Sequence, residues 1–205
     1  LIVSGLTGSS AAGSDTYVQF NDGGSSFGGE SNFTFDKAGS GILKVGTIIA
    51  DAADAASYPE NVAVGSGARA SDTQAVAVGA ITTATGPYTT AVGYNANAAT
   101  YGSVAIGQNS NAYGGTASVA VGHGAYATAA KSVAIGYLNS ANGERSIVIG
   151  DSANDNSNTY TVSIGVAAKS NGTRSVAVGR SAQASAYSVA LGYQATAPTS
   201  GLVIG

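Results

Sequence analysis

The sequence predicts an all-β fold: a solenoid in which each coil is a short two-stranded roll stacked on the next. Three observations carry this. A pentapeptide of the form Ser103-Val-Ala-Ile-Gly107 recurs along most of the chain. The glycines that close its copies fall at Gly65, Gly79, Gly93, Gly107, Gly122, Gly136, Gly150, Gly165, Gly179, Gly192 and Gly205, spaced by 14, 14, 14, 15, 14, 14, 15, 14, 13 and 13 residues. So steady a period means one small unit repeated, because each unit can bury its apolar face only against its neighbours.

The third observation is alternation within the unit. With the closing glycine as position 0, position −1 is aliphatic in every copy, from Val64 to Ile204. Position −3 is aliphatic in all but one, where Thr90 stands, and position −2 is usually Ala. Residues i and i+2 share a face of a strand, so this is a strand signature. The recurrent glycine, the β-branching and the scarcity of charge exclude a helix. A second alternation follows each glycine, with Ala or Ser at +3 and +5, as in Ala68 and Ala70, Ala96 and Ala98, or Ala182 and Ala184. Two strands and two turns account for one period.

The expected core sets the Val/Ile strand against the Ala/Ser strand, large side chains meeting small ones across a thin gap. About eleven such coils, stacked at roughly 4.8 Å, make a rod on the order of 50 Å long. One thin roll buries little apolar surface, so self-association is expected. The strip of Ala at −2 is the expected line of approach for another sheet.

The copies SVAIG at 103–107 and 132–136, SVAVG at 118–122 and 175–179, and SVALG at 188–192 resemble the head repeats of YadA-like trimeric autotransporter adhesins. The resemblance covers residues 61–205. It implies a left-handed parallel β-roll, a homotrimer, and a place on an exposed fibrous surface protein.

Taken in order, residues 1–14 read as a linker or the end of a preceding module, rich in Gly and Ser. Residues 15–49 read as a small N-terminal β-module. All four Phe lie there (Phe20, Phe27, Phe33, Phe35), and three strands are expected at Tyr17–Phe20, Asn32–Phe35 and Ile42–Val45. Turn-forming Asn21-Asp-Gly-Gly24 and Ala38-Gly-Ser-Gly41 separate them. Residues 15–46 are similar to a module of bacteriophage tail-fibre proteins. Residues 50–60 form a joint in which Pro59, unable to donate to a ladder, suits the start of the roll, and a short helical turn is possible over 51–56. The β-roll itself fills residues 61–205.

Composition narrows the functions. The chain has 205 residues, 30 of them Gly, with 9% charged residues and no Cys, Met or Trp. Thiolate chemistry and disulfides are thereby excluded. Residues 1–60 carry two Lys against seven acids and residues 61–205 six Lys/Arg against four acids. Neither imbalance supports binding to nucleic acid. No apolar run reaches the length of a membrane span. The chain starts without Met and reads as a piece of a longer one.

Candidate sites are few. Tyr94, Gln108, His123, Tyr137, Arg180 and Tyr193 all occupy position +1 and would form a longitudinal stripe. Tyr offers contact area with a polar tip, which suits protein or glycan binding. His123 is the only histidine; alone it makes no catalytic triad, and a solvated turn is its expected place. Asp151 to Asn158 form the most irregular coil, with Asp155 where Ala or Ser is usual. Its oxygens invite a Ca²⁺ reading, but the spacing fits neither an EF-hand loop nor the glycine-rich nonapeptide repeat, and a bulged polar loop is expected. Lys131, Arg145, Lys169 and Arg174 are read as preceding the strands, solvated or paired between chains.

The expectation for function is a non-enzymatic fibrous protein, with no cofactor or metal, part of a bacteriophage tail fibre or virion appendage engaged in host attachment. Its partners would be two further copies, other fibre or virion proteins, and a host surface protein or glycan. The alternative is the head of a bacterial trimeric adhesin at the cell surface. A polysaccharide-cleaving tailspike ranks below both, because no paired carboxylates recur.

Overall fold

The computed structural model describes residues 17–21, 27–35, 43–45, 49–50 and 60–205. By its contacts the chain divides into two units, Leu1–Ile48 and Ile49–Gly205. The linker reading of 1–14 and the helical turn over 51–56 lie outside the described residues.

In the first unit, strands β1 (Tyr17–Asn21), β2 (Phe27–Phe35) and β3 (Leu43–Val45) form an antiparallel sheet in the order β1-β2-β3. Strand β2 begins five residues earlier than expected. Gly28 and Gly29, which lie ahead of the expected strand, sit opposite Phe20 and Gln19. A paired backbone satisfies its hydrogen bonds whether or not it carries side chains.

The second unit is a parallel β-solenoid. Strand β4 (Ile49–Ala50) pairs with Val62–Val64, and from there one three-residue strand per coil, at positions −3 to −1, builds a twelve-stranded sheet. Two of its strands, at Val133–Tyr137 and Ile147–Asp151, run on past the glycine. Register is strict: Val104 pairs with Val119, Ala105 with Ala120 and Ile106 with Val121. A second sheet is built from two-residue strands at +4 and +5. It runs from Arg69–Ala70 to Ser140–Ala141 and resumes from Lys169–Ser170 to Thr196–Ala197. Single bridges from Ser140 to Asn154 and from Asn154 to Lys169 carry the ladder across the irregular coil. The solenoid has about ten full turns rather than eleven, because the last repeat contributes only its long-sheet strand, Leu202–Ile204.

Burial corrects the expected core. The side chains turned inward are the Ala at −2 (Ala63, Ala77, Ala91, Ala105, Ala120, Ala134, Ala177, Ala190), and they meet the buried Ala at +3 and +5. The Val and Ile at −3 and −1 point outward and are only partly covered. The interior is thus alanine on alanine, and the strip proposed as a line of approach for another sheet is sealed inside. Geometry explains the reversal. Strands of two or three residues joined by tight turns hold the sheets too close for a β-branched pair, and an overfilled core is strained. Where the inward position departs from Ala it becomes Val148 or Ser163, both fully buried, or in the last repeat Val203, which is partly buried.

The closing glycine has its own cause. Each of Gly65 to Gly192 adopts a φ between 122° and 145°, a region that L side chains avoid. The glycines also stack: a Cβ on Gly93 would lie 2.6 Å from the Gly107 carbonyl oxygen, and one on Gly165 would lie 2.7 Å from that of Gly179. The serine of the motif is equally structural. At −4 it is buried, and in several coils its hydroxyl donates to the carbonyl three residues back, as from Ser132 to Ala129 and from Ser188 to Ser185, both at 2.7 Å. That bond satisfies a turn carbonyl that the ladder leaves open.

Candidate functional site

Each coil presents the same positions at the same height, so surface residues form columns running along the stack. Three columns carry functional groups.

The +1 column follows the closing glycine. Tyr94, Gln108, His123, Tyr137, Arg180 and Tyr193 are all exposed, as the sequence reading requires. Neighbouring coils bring some of them together. The His123 and Tyr137 rings stack with centroids 5.2 Å apart, and the Arg180 guanidinium lies 5.8 Å from the centre of the Tyr193 ring. Tyr94 is linked to neither pair by a ring contact. The column therefore contains two local pairs rather than one continuous aromatic surface. The lone histidine makes its ring contact with Tyr137.

The −5 column precedes each long-sheet strand and sits in left-handed backbone. It includes Lys131, Arg145, Tyr160, Arg174 and Tyr187, with φ from 54° to 59°. In consecutive coils, Arg145 lies over the Tyr160 ring at 5.3 Å, Arg174 over the same ring at 5.6 Å, and Arg174 over Tyr187 at 5.9 Å. Arg145 also donates to the Tyr160 hydroxyl at 2.6 Å and pairs with Glu144 at 3.0 Å. This cation–π ladder was not anticipated, although the stacking of position −5 could have been read from the period. Lys169 does not belong with these cations. It lies inside the second-sheet strand at +4, a correction to its expected place ahead of a strand.

The third system is the outer face of the second sheet, at +4 and +6. It is polar: Thr83, Asn97, Asn111, Ser140 and Gln183 occupy +4. Here lies a shallow concavity of about 540 Å³, lined by Tyr113, Tyr126, Thr128, Ser140, Asn142 and Ser157. Sequence reasoning missed it. The signal was present in the spacing, because two fifteen-residue coils, closing at Gly122 and Gly165, flank two fourteen-residue ones. Both longer coils carry the extra residue in the turn after the second-sheet strand.

The irregular coil is ordered by a buried carboxylate. Asp155 accepts hydrogen bonds from the backbone N–H of Asn142 (3.1 Å), Gly143 (2.7 Å) and Ser157 (3.0 Å), and from the Ser146 hydroxyl. Four donors satisfy both oxygens, so this carboxylate ties two coils together. Among the described residues no group of three or more His, Asp or Glu could hold a metal ion. Nor is any helix among them long and apolar enough to cross a membrane.

These repeats match a known family. The model of the YadA head domain repeat fits residues 62–80, 84–110, 114–139, 127–153, 157–182 and 184–201. The match does not reach residues 15–46, so their likeness to a tail-fibre module is unsupported by it. No curated protein matches the chain. With the repeat fitted over more than half of its length, the chain belongs to the YadA head domain repeat family.

Proposed function

We propose that the roll is the adhesive head of a homotrimeric adhesin displayed on a bacterial cell surface, binding an extracellular protein or glycan without catalysis. The observation that supports this best is the outward aliphatic face of the long sheet. Ile106, Ile135 and Ile147 are 39%, 38% and 39% exposed in the single chain, and Val or Ile flanks them in every coil. Soluble proteins seldom leave so continuous an apolar ribbon in water. Three copies with these faces turned to a common axis would cover it and leave the polar second-sheet faces outward.

A non-enzymatic role agrees with the acids available. The roll holds Asp72, Glu144, Asp151 and Asp155; Asp155 is enclosed by donors and Glu144 is paired with Arg145. A carboxylate pair flanking a scissile glycosidic bond, which a polysaccharide-cleaving tailspike would need, has no counterpart there.

A second reading, a tail fibre or other virion appendage, draws on the residues of 15–46 and on the antiparallel β1–β3 sheet that they form. It ranks below the adhesin because the family match falls on the roll. Peptide mapping of purified cell envelopes and purified virions separates the two. Recovery of roll peptides from envelopes is expected, whereas recovery from virions alone would replace the adhesin with the virion appendage.

A further inference from the structure

We propose that the concavity between the two fifteen-residue coils is a binding site for a short neutral oligosaccharide. This deepens the adhesive reading and rests on it.

The site is built by the spacing of the repeats. Tyr113 belongs to the coil closing at Gly122, and Ser157 to the one closing at Gly165. The floor between them comes from two regular coils, Tyr126 and Thr128 from one and Ser140 and Asn142 from the other. Three coil spacings separate the ends, roughly 14 Å. That span accommodates a few linked sugar rings and is too small for a protein epitope, which needs about 800 Å² on each partner. At about 540 Å³ the volume lies within the usual range for a small-molecule site.

The lining selects the chemistry. None of the six residues carries a charge, so neither a phosphate, a sulfate nor a sialic acid carboxylate would find an ion-pair partner in it. Tyr113 and Tyr126 keep 47% and 38% of their surface exposed, which leaves ring faces free to take the C–H face of a pyranose. Hydroxyls and an amide stand beside them. Thr128 donates to the Asn142 carbonyl oxygen at 2.7 Å, which fixes the Asn142 amide group with its N–H donors left for a ligand. Apolar faces interleaved with neutral donors and acceptors complement a sugar.

The floor and one end are also held in place. The Asp155 carboxylate beneath them accepts from the backbone of both Asn142 and Ser157. Such a buried support positions binding groups before the ligand arrives, which lowers the entropic cost of binding. The site lies on the outward face of the second sheet, opposite the aliphatic face, and stays open in the proposed trimer.

The test applies the intact chain to an array of defined neutral, sialylated and sulfated oligosaccharides, with the mass of the same sample measured in solution. The expected result is binding to at least one neutral oligosaccharide. Tyr126→Ala and Tyr113→Ala should each weaken it by tenfold or more, and Ile81→Ala, at an exposed turn position outside the concavity, should leave it unchanged. Tyr126→Phe, which keeps the ring and the fold, should weaken it by less than tenfold. A folded protein that binds no neutral oligosaccharide overturns the proposal, as does binding only to charged glycans or binding indifferent to the Tyr113 and Tyr126 substitutions. If the sample is trimeric and adheres to protease-sensitive, deglycosylated matrix while binding no glycan, the adhesive reading survives and the sugar site does not.

Discussion

The two outer faces of the roll are made by the same coil and teach different lessons. The long-sheet face repeats Val or Ile at −3 and −1 with little variation, from Val62 to Ile204. The second-sheet face varies freely among Arg69, Thr83, Asn97, Tyr126 and Lys169 at a single position. Uniformity is what an interface with identical copies of the chain would demand, since each coil meets the same neighbours. Variation is what a surface in contact with water tolerates, and it leaves room for a local site such as the concavity at Tyr126. Between the faces lies a column that is Ala in eight of eleven copies.

The comparison can be broken most severely on the uniform face. Replacing Val119 and Ile135 together by Asp should abolish assembly, because buried unpaired carboxylates cost several kcal/mol each; light scattering would show the chain mass falling to that of a monomer. Next in size comes the glycine column. Gly93→Ala should cost about 3 kcal/mol, from a disfavoured φ and a Cβ set against the next coil's carbonyl, read as a lowered denaturation midpoint.

The inward column should come third. Ala120→Val should destabilise by about 1–3 kcal/mol through overpacking, whereas a core with Val turned inward would accept it. In the irregular coil, Asp155→Ala strands the buried Gly143 N–H, while the partly buried N–H groups of Asn142 and Ser157 can turn to water, and should cost about 1–3 kcal/mol. The smallest effect belongs to the exposed ladder. Tyr160→Ala should cost about 0.5–1 kcal/mol, and added salt should change that little.

Much of this fold was legible because the period and the alternation are properties of composition along the chain. What the pattern could not settle was which side of a strand faces in. Alternation shows that Val119 and Ala120 lie on opposite faces, and the usual preference for burying the larger residue pointed the wrong way. That preference fails here because the turn geometry, set by glycines at φ above 120° and by residues such as Lys131 and Arg145 in left-handed backbone, keeps the sheets close. The +1 column was predictable, since it needs only the register. The pairing of His123 with Tyr137, and the isolation of Tyr94, depend on side-chain directions that the period does not encode. The concavity escaped notice because its cause, two extra residues three coils apart, looks like noise in the spacing until the coils are stacked.

The mass of the folded, intact chain in solution bears most directly on the outward aliphatic face as an interface. Sedimentation or light scattering should give about three times the 19.8 kDa of one chain, with no dependence on dilution across the micromolar range. A folded monomer of 19.8 kDa would mean that this ribbon of Val and Ile stays in water uncovered, and would contradict the assembly on which the adhesive reading stands.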